Sequence, residues 1–327
     1  MHDFITLGSA TRDVFFKAGD FELRPHEHDA PQMEQCVPLG SKLEMKEIVF
    51  ATGGGGANAA VTFARQGWQT AALGVVGADF NGEAIIAELA QEGIETKYFQ
   101  KHEGDHTAYS VILVHGSGER TILSYKGEGQ HFNVQAIPFE NLTPKWFYLN
   151  SLGGNWDLLQ AISAHAAANQ IKIGMNPGGK EIAHGLKKLT PVLKNISVLI
   201  TNKEEGAEMI GTPGLEHRQV LDKLKEVVGG IAVVTDGPNG VLVKDVDGKI
   251  YKAGVPDSPV VERTGAGDAW SSGFISEYSR GGDISKAIQF GTANASAVVT
   301  QFGARAGILK KDDWGSWPLV EVEILTS

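Results

Sequence analysis

The stretch Val261-Glu262-Arg263-Thr264-Gly265-Ala266-Gly267-Asp268 sets a carboxylate directly behind a glycine-rich turn. Trp270, Phe274 and Tyr278 follow at helical spacing, so the glycines open a helix and Asp268 stands in its first turn. A helix start carries unpaired N–H groups and a partial positive charge, which suits a phosphate. A carboxylate there would repel the phosphate unless it served a reaction. One reaction uses both: the amides hold a phosphoryl group while Asp268 takes the proton of an attacking alcohol. The plain alternative is a glycine turn with Asp268 favouring the helix start.

A second glycine run, Gly53-Gly54-Gly55-Gly56 followed by Ala57-Asn58, also opens a helix, which Gly67 stops. Four successive glycines cost chain entropy, and close approach of a sugar or phosphate to the backbone would offset it. The run lacks the Gly-Lys-Ser/Thr of a Walker loop and the acidic strand end of a dinucleotide site. Asp13 follows the first strand and reads as a ligand contact or a turn residue. Asn202 and Glu205, three apart at a helix start, suit either hydrated Mg²⁺ beside phosphates or a capping box. The segment 235–240, Thr-Asp-Gly-Pro-Asn-Gly, is a turn or a nucleotide loop. Asn294, with Gly303 and Ala304, lines an adenine pocket or is an ordinary helix residue and its stop. The run His26-Glu27-His28-Asp29 offers metal-binding groups, but no further ligands stand at zinc spacing, and a solvated loop is expected.

The elements that must position these residues read as alternating strands and helices. Strands are expected over 4–8, 70–76, 146–150, 171–175, 198–201 and 231–235, with helices over 81–92, 156–169, 180–193, 204–210, 217–228 and 285–301. Repeated β-α units imply an α/β fold with a doubly wound, mainly parallel central sheet flanked by helices. Two β segments interrupt the pattern. One lies within 42–50, in an otherwise irregular stretch from 14 to 51 containing Pro25, Pro31 and Pro38. The other is a hairpin, 108–114 and 121–125, turning at 116–119. Together they suggest a small β lid, from about 14–51 and 98–127, on a single domain spanning 1–327. Arg120 is there as a surface charge or a contact to an anionic ligand. The acidic tail from Trp314 is expected to be peripheral.

The 327 residues, 42% of them hydrophobic, suffice for a large buried core. A net charge of −10 with no basic block makes nucleic acid and anionic membranes poor partners. Cys36 is the only cysteine, so no internal disulfide forms. No apolar run approaches membrane-spanning length, and the start lacks the pattern of a signal peptide. A soluble, cytoplasmic protein is the expectation.

Taken in order, Gly53 to Asn58, Asn202-x-x-Glu205, Thr235-x-Gly237-x-x-Gly240 and Thr264 to Asp268 resemble the ribokinase-like, or PfkB, carbohydrate kinase family. The resemblance implies a central sheet with a β lid and ATP-dependent phosphorylation of a hydroxymethyl group. It makes Asp268 the general base and the amides of Gly265, Ala266 and Gly267 the anion hole. Asn202 and Glu205 would organise Mg²⁺ and phosphates, with Thr235, Gly237, Gly240 and Asn294 on the nucleotide. Asp13, Gly54, Gly55 and Asn58 would hold substrate hydroxyls, and the lid would exclude water.

The sequence departs from that family where Asp-Thr-Thr commonly precedes the glycines, having Glu262-Arg263-Thr264 instead. That segment often supports a monovalent cation in the family, so a potassium requirement is in doubt, and Arg263 is a candidate for supplying the charge itself. A free sugar is the expected substrate, with a nucleoside next. A phosphorylated sugar is disfavoured because Gly55 offers no cationic side chain. A non-catalytic sugar- or nucleotide-binding protein is the alternative of another class, and a nicotinamide-dependent dehydrogenase a distant third. An exposed lid sheet is also a candidate for pairing two subunits.

Overall fold

A computed structural model describes residues 1–17, 21–26, 33–115, 120–127, 129 and 131–325. The strands Thr70–Leu73, Phe4–Leu7, Trp146–Leu149, Lys172–Met175, Val198–Asn202 and Ile231–Thr235 lie side by side in that order, all parallel. They are short, nearly continuous apolar runs, as strands covered on both faces must be. Phe4–Leu7 shows why: Phe4 packs into one core and Ile5 and Leu7 into the other. The first core holds the helices Gly55–Arg65, Ala266–Gly281 and Ile284–Val299 against one face of the sheet. The second holds Trp156–Asn169, Gly185–Leu193, Lys203–Ile210 and His217–Lys225 against the other. Three antiparallel strands, Val241–Lys244, Ile250–Ala253 and Val322–Leu325, complete the sheet at nine.

Two expected elements are broken, each by a glycine. The strand expected over 70–76 divides at Gly74, where an added Cβ would stand 2.6 Å from the Phe99 ring. Beyond it Val75–Gly77 leaves the main sheet and pairs with Gln100–His102. The helix expected over 180–193 divides into Gly179–Ile182 and Gly185–Leu193, because Gly185 takes φ +76°. The tail is not peripheral: Val322–Leu325 pairs with Ile250–Ala253 as the edge strand.

A separate four-stranded sheet has the order Arg120–Tyr125, Tyr109–Val114, Thr11–Lys17, Glu47–Gly53. The two β segments expected from sequence supply three of its strands. The fourth, Thr11–Lys17, was read as the start of an irregular stretch. Its consecutive residues Val14 and Phe15 are both buried, so the two-residue alternation that marks a half-exposed strand is lost. Phe15, Ile112 and Val114 pack against Phe302, and Lys17 sets its ammonium 3.6 Å above the Phe302 ring, so one end of this sheet rests on the chain just after Ile284–Val299. The hairpin turn 116–119 and most of the acidic-histidine run, 27–29, lie outside the described residues.

Candidate active site

The carboxyl ends of the parallel strands define one rim. Leu7, Leu149 and Met175 are in register, so Gly8, Asn150 and Asn176 leave the sheet at one level. Asn202 is level with Thr235 on the next pair. In such sheets ligands sit beyond this edge. Both glycine-led helices start here, and they are joined side by side. Ser272 donates to Asp268 O and also bonds the Thr62 hydroxyl at 2.9 Å.

Asp268 stands in the first turn of Ala266–Gly281, and two side-chain amides hold its carboxylate. Asn58 Nδ2 donates to Oδ2 at 2.8 Å, and Asn150 Nδ2 reaches Oδ1 at 3.4 Å. Asn150 Nδ2 also lies 3.3 Å from Asn176 Oδ1, and Asn176 donates to Ile200 O. Burial raises the Asp268 pKa above the usual carboxylate range, against the two amide donors. The buried Tyr148 hydroxyl is close by, and burial, then the Asp268 charge, push its pKa well up. Tyr148 is therefore a neutral dipole beside the carboxylate.

Glycine is needed where these groups converge. An added Cβ on Gly55 would stand 2.0 Å from Asn150 Oδ1, and one on Gly53 would stand 2.0 Å from Asp13 Oδ2. Gly265 has φ +80° and faces Ala304 at 2.4 Å. By contrast nothing lies within 4 Å of a Cβ built on Gly267, which borders open space. The N–H groups of Gly265, Gly267 and Asp268 make no hydrogen bond among the described residues, whereas Ala266 donates to Arg263 O at 3.3 Å. The expected set of three free amides is thus corrected: the free set is Gly265, Gly267 and Asp268.

A cavity of about 250 Å³ lies against these amides, lined by Asn176, Asn202, Glu205, Gly267, Asp268 and Ser271 among others. Asn202 and Glu205 form a capping box, each side chain accepting from the other's backbone N–H, at 2.7 and 2.9 Å. Capping and ligand contact are not exclusive here, because both residues also line the cavity. Burial raises the Glu205 pKa, and the charges of Asp268, Glu204 and Glu208 push the same way. Two carboxyl groups that repel across one cavity form a cation-attracting wall. Among the described residues no three His, Cys, Asp or Glu side chains cluster closely enough to ligate a metal directly. This set fits Mg²⁺ that keeps its water shell, and does not fit a fully protein-ligated ion.

A second cavity of about 380 Å³ is lined by Gly237, Pro238, Gly240, Val255, Trp270 and Thr292, among others, and shares Thr235 and Gly267 with the first. Its volume and largely apolar lining suit a planar base. Asn294 does not reach it. That side chain is fully buried, with Nδ2 donating to Ala269 O and Oδ1 accepting from Leu309 N. Asn294, expected to line an adenine pocket, does not line this cavity, whereas Thr292, Ala295, Ser296 and Val299 of the same helix do.

Asp13 is neither a turn residue nor at the end of the first strand. It lies within Thr11–Lys17, buried, beside the glycine run. Burial raises its pKa, against hydroxyl donors Ser110 and Thr11 and the charges of Arg305 and Lys126. Three arginines nearby are engaged by two carboxylates. Glu88 pairs with both Arg12 and Arg305, the latter at 2.7 Å, and Arg65 pairs with Glu92 at 2.6 Å.

Two arginines change places relative to expectation. Arg263 is exposed and borders the second cavity, and among the described residues no ion pair joins it to Glu262. Arg120 pairs with Glu262 instead: its Nε lies 3.1 Å from Glu262 Oε1. Sequence reading missed Asn150, Asn176 and Tyr148. A signal existed, since three buried strands carry an asparagine at or just past their carboxyl ends: Asn150 after Leu149, Asn176 after Met175 and Asn202 closing Val198–Asn202.

A family model described as pfkB family carbohydrate kinase matches residues 27–311. A ribokinase from Haemophilus influenzae is 27% identical over 276 residues, covering 82% of this chain and 88% of that protein. A nucleoside kinase from Methanocaldococcus jannaschii is 24% identical over 256 residues, covering 78% and 82%. A solved ribokinase from Arabidopsis thaliana, complexed with ribose and ATP, superposes with a TM-score of 0.75 at 20% identity, over 94% of this chain and 96% of that one.

Proposed function

The chain belongs to the pfkB family of carbohydrate kinases, and on that premise we propose that it moves the terminal phosphoryl group of ATP to a hydroxymethyl group of a free sugar. The observation that carries this reading is the Asp268 carboxylate, held by Asn58 and Asn150 beside the unpaired N–H groups of Gly265 and Gly267. The sugar lies against Asp13, Gly54 and Gly55. Asn58 Oδ1, buried without a partner, accepts one of its hydroxyls. Asp268, its carboxylate form held by the amide donors of Asn58 and Asn150, takes the proton of the attacking hydroxyl. The amides of Gly265, Gly267 and Asp268 receive the charge that develops on the phosphoryl oxygens. Ala266 supports them through its bond to Arg263 O.

Thr235, Gly237 and Gly240 border the base cavity, which opens to the reaction cavity past Thr235 and Gly267. Asn202 and Glu205 would hold Mg²⁺ beside the phosphates. Bound there, the ion would neutralise phosphate charge as the bond to the leaving oxygen breaks. Potassium is not required in this reading, because Arg120 already meets Glu262. The four-stranded sheet is the lid of one kinase domain and excludes water from the transfer. Among the described residues no helix is long and apolar enough to cross a membrane, in line with a small-molecule kinase acting in the cytoplasm.

A free sugar is favoured over a phosphorylated one because Gly55 offers no cationic side chain at the glycine run, and Arg12, Arg305 and Arg65 are each engaged by Glu88 or Glu92. The likeness to a nucleoside kinase makes nucleosides the second acceptor class. Coupled ADP release with Mg-ATP, run over free sugars, sugar phosphates and nucleosides, tests the reading. At least one free sugar is expected to give ADP and a sugar phosphate in equal amounts. Turnover confined to nucleosides or sugar phosphates would overturn the acceptor assignment, and no ADP with any acceptor would overturn the activity.

A further inference from the structure

Glu262 is the acid immediately before the anion-hole turn, and its side chain is completely excluded from solvent. One carboxylate oxygen accepts from Thr264 N at 2.6 Å, and the Glu262 N–H donates to Val299 O at 3.1 Å. The carboxylate thus braces the turn that carries Gly265, while the backbone of Glu262 ties it to the end of Ile284–Val299. The other carboxylate oxygen, Oε2, is buried without a hydrogen-bond partner, as are the Thr264 hydroxyl and Arg120 Nε, so Arg120 meets Glu262 as a counter-charge and not through a hydrogen bond. Shutting a carboxylate away from solvent costs free energy, which a facing cation offsets. Here the cation comes from 142 residues away in sequence, on a different sheet: Arg120 opens the lid strand Arg120–Tyr125 and sets its Nε 3.1 Å from Oε1.

We propose that Arg120 is a positioning residue for phosphoryl transfer, which holds the Glu262–Gly267 turn in its working shape only while the lid is shut. This rests on the kinase reading of the site. Moving the lid away strips Glu262 of its counter-charge. The carboxylate must then reach for water, which pulls on the Thr264 amide and loosens the turn that presents the free N–H groups. The link runs both ways. A phosphoryl group drawn to those amides favours the ordered turn, hence the paired Glu262, hence the closed lid. The same link keeps ATP from being hydrolysed in an open, wet site, because the amides are correctly placed only after closure.

The ends of the lid sheet support this arrangement. Lys17 over Phe302 and the packing of Phe15 and Val114 on that ring seat the same end of the lid that bears Arg120, since Lys17, Val114 and Arg120 are register neighbours. Arg120 is a quarter exposed while Glu262 is not exposed at all. Lid movement therefore releases Arg120 to solvent and leaves Glu262 behind.

The test uses Arg120→Gln, Arg120→Ala, Glu262→Gln and the double variant Arg120→Gln with Glu262→Gln. In steady-state assays with the acceptor found by ADP release, Arg120→Gln is expected to lower kcat by about tenfold or more while acceptor KM changes little. The double variant is expected to be no worse than either single, because the pair acts as a unit. Added guanidinium ion is expected to restore part of kcat to Arg120→Ala and none to wild type. Losses that add, or an unchanged kcat in Arg120→Gln, would overturn the proposal. Hydrogen exchange of the free protein provides a readout that needs no turnover: the Thr264 amide is expected to exchange faster in Arg120→Gln than in wild type, by more than any general loss of stability read from the amides of the parallel strands Trp146–Leu149 and Ile231–Thr235. Equal protection of that amide would overturn the clasp and leave the kinase reading standing, whereas absent turnover in wild type with the amide difference retained would overturn the kinase reading and with it the clasp's role in transfer.

Discussion

Burial raises the carboxyl pKa of Asp13, Glu205 and Asp268 together. A carboxyl group whose folded pKa is raised binds its proton more tightly when folded than when unfolded. Its ionisation then subtracts stability as pH climbs from about 4, the unfolded value, through the raised folded value, and subtracts nothing below that window. Asp268→Asn keeps the shape and removes the charge, so its melting temperature is expected to exceed wild type at neutral pH and to converge with it below about pH 4. A thermal melt series over pH reads this, and a constant gap at all pH values would contradict it. The rate should show the same group: the acid limb of kcat is expected above the ordinary carboxylate range, because only ionised Asp268 accepts a proton. At this scale the sequence was most legible where one residue type has one use, as with Asp268 behind its glycines. It misled where a side chain has two, as with Asn294, whose amide serves the backbone of Ala269 and Leu309 instead of a ligand. Arg120 and Glu262 were illegible as a pair, because nothing local links residues on separate sheets.

The glycine-led helices show how an element transmits a substitution. Gly55→Ala places a methyl group 2.0 Å from Asn150 Oδ1, and Asn150 is one of the two amides that hold Asp268. Activity is expected to fall by about a hundredfold, as misplacing a reacting group by about 1 Å does, while the fold survives. Gly265→Ala meets Ala304 at 2.4 Å and must also hold φ +80°, so it is expected to cost about 1–3 kcal/mol of stability as well as activity. Denaturant titration beside steady-state rates separates the two variants, and a Gly55→Ala enzyme of wild-type rate would contradict the assigned contact. The parallel strands were legible because burial on both faces writes a continuous apolar run, as in Trp146–Leu149 and Ile231–Thr235. Thr11–Lys17 and Val322–Leu325 were not. The first is buried on neighbouring residues, and the second carries an acid in a four-residue edge strand.

For the molecule as a whole, the alternation of strands and helices announced the doubly wound sheet, and two β interruptions announced the smaller one. How that sheet meets the site was beyond reach of spacing, because it depends on contacts such as Lys17 with Phe302 and Arg120 with Glu262. The outer face of the lid also has a consequence for assembly. Phe50, Val14, Val111 and Leu123 form one row across it, and Phe50 and Leu123 are more than half exposed, as Ile48 on the same face is half exposed. Pairing of two lids would cover that row. Sedimentation equilibrium is expected to give twice the 34.9 kDa chain mass, and the single chain mass for Phe50→Asp; a wild-type monomer would contradict lid pairing. The central claim, that Asp268 is the base of a phosphoryl transfer, is tested most directly by measuring ADP release and ATP affinity in parallel for wild type and Asp268→Asn. The account predicts a loss of kcat of about a hundredfold or more with ATP affinity retained. A variant that turns over at the wild-type rate would contradict it.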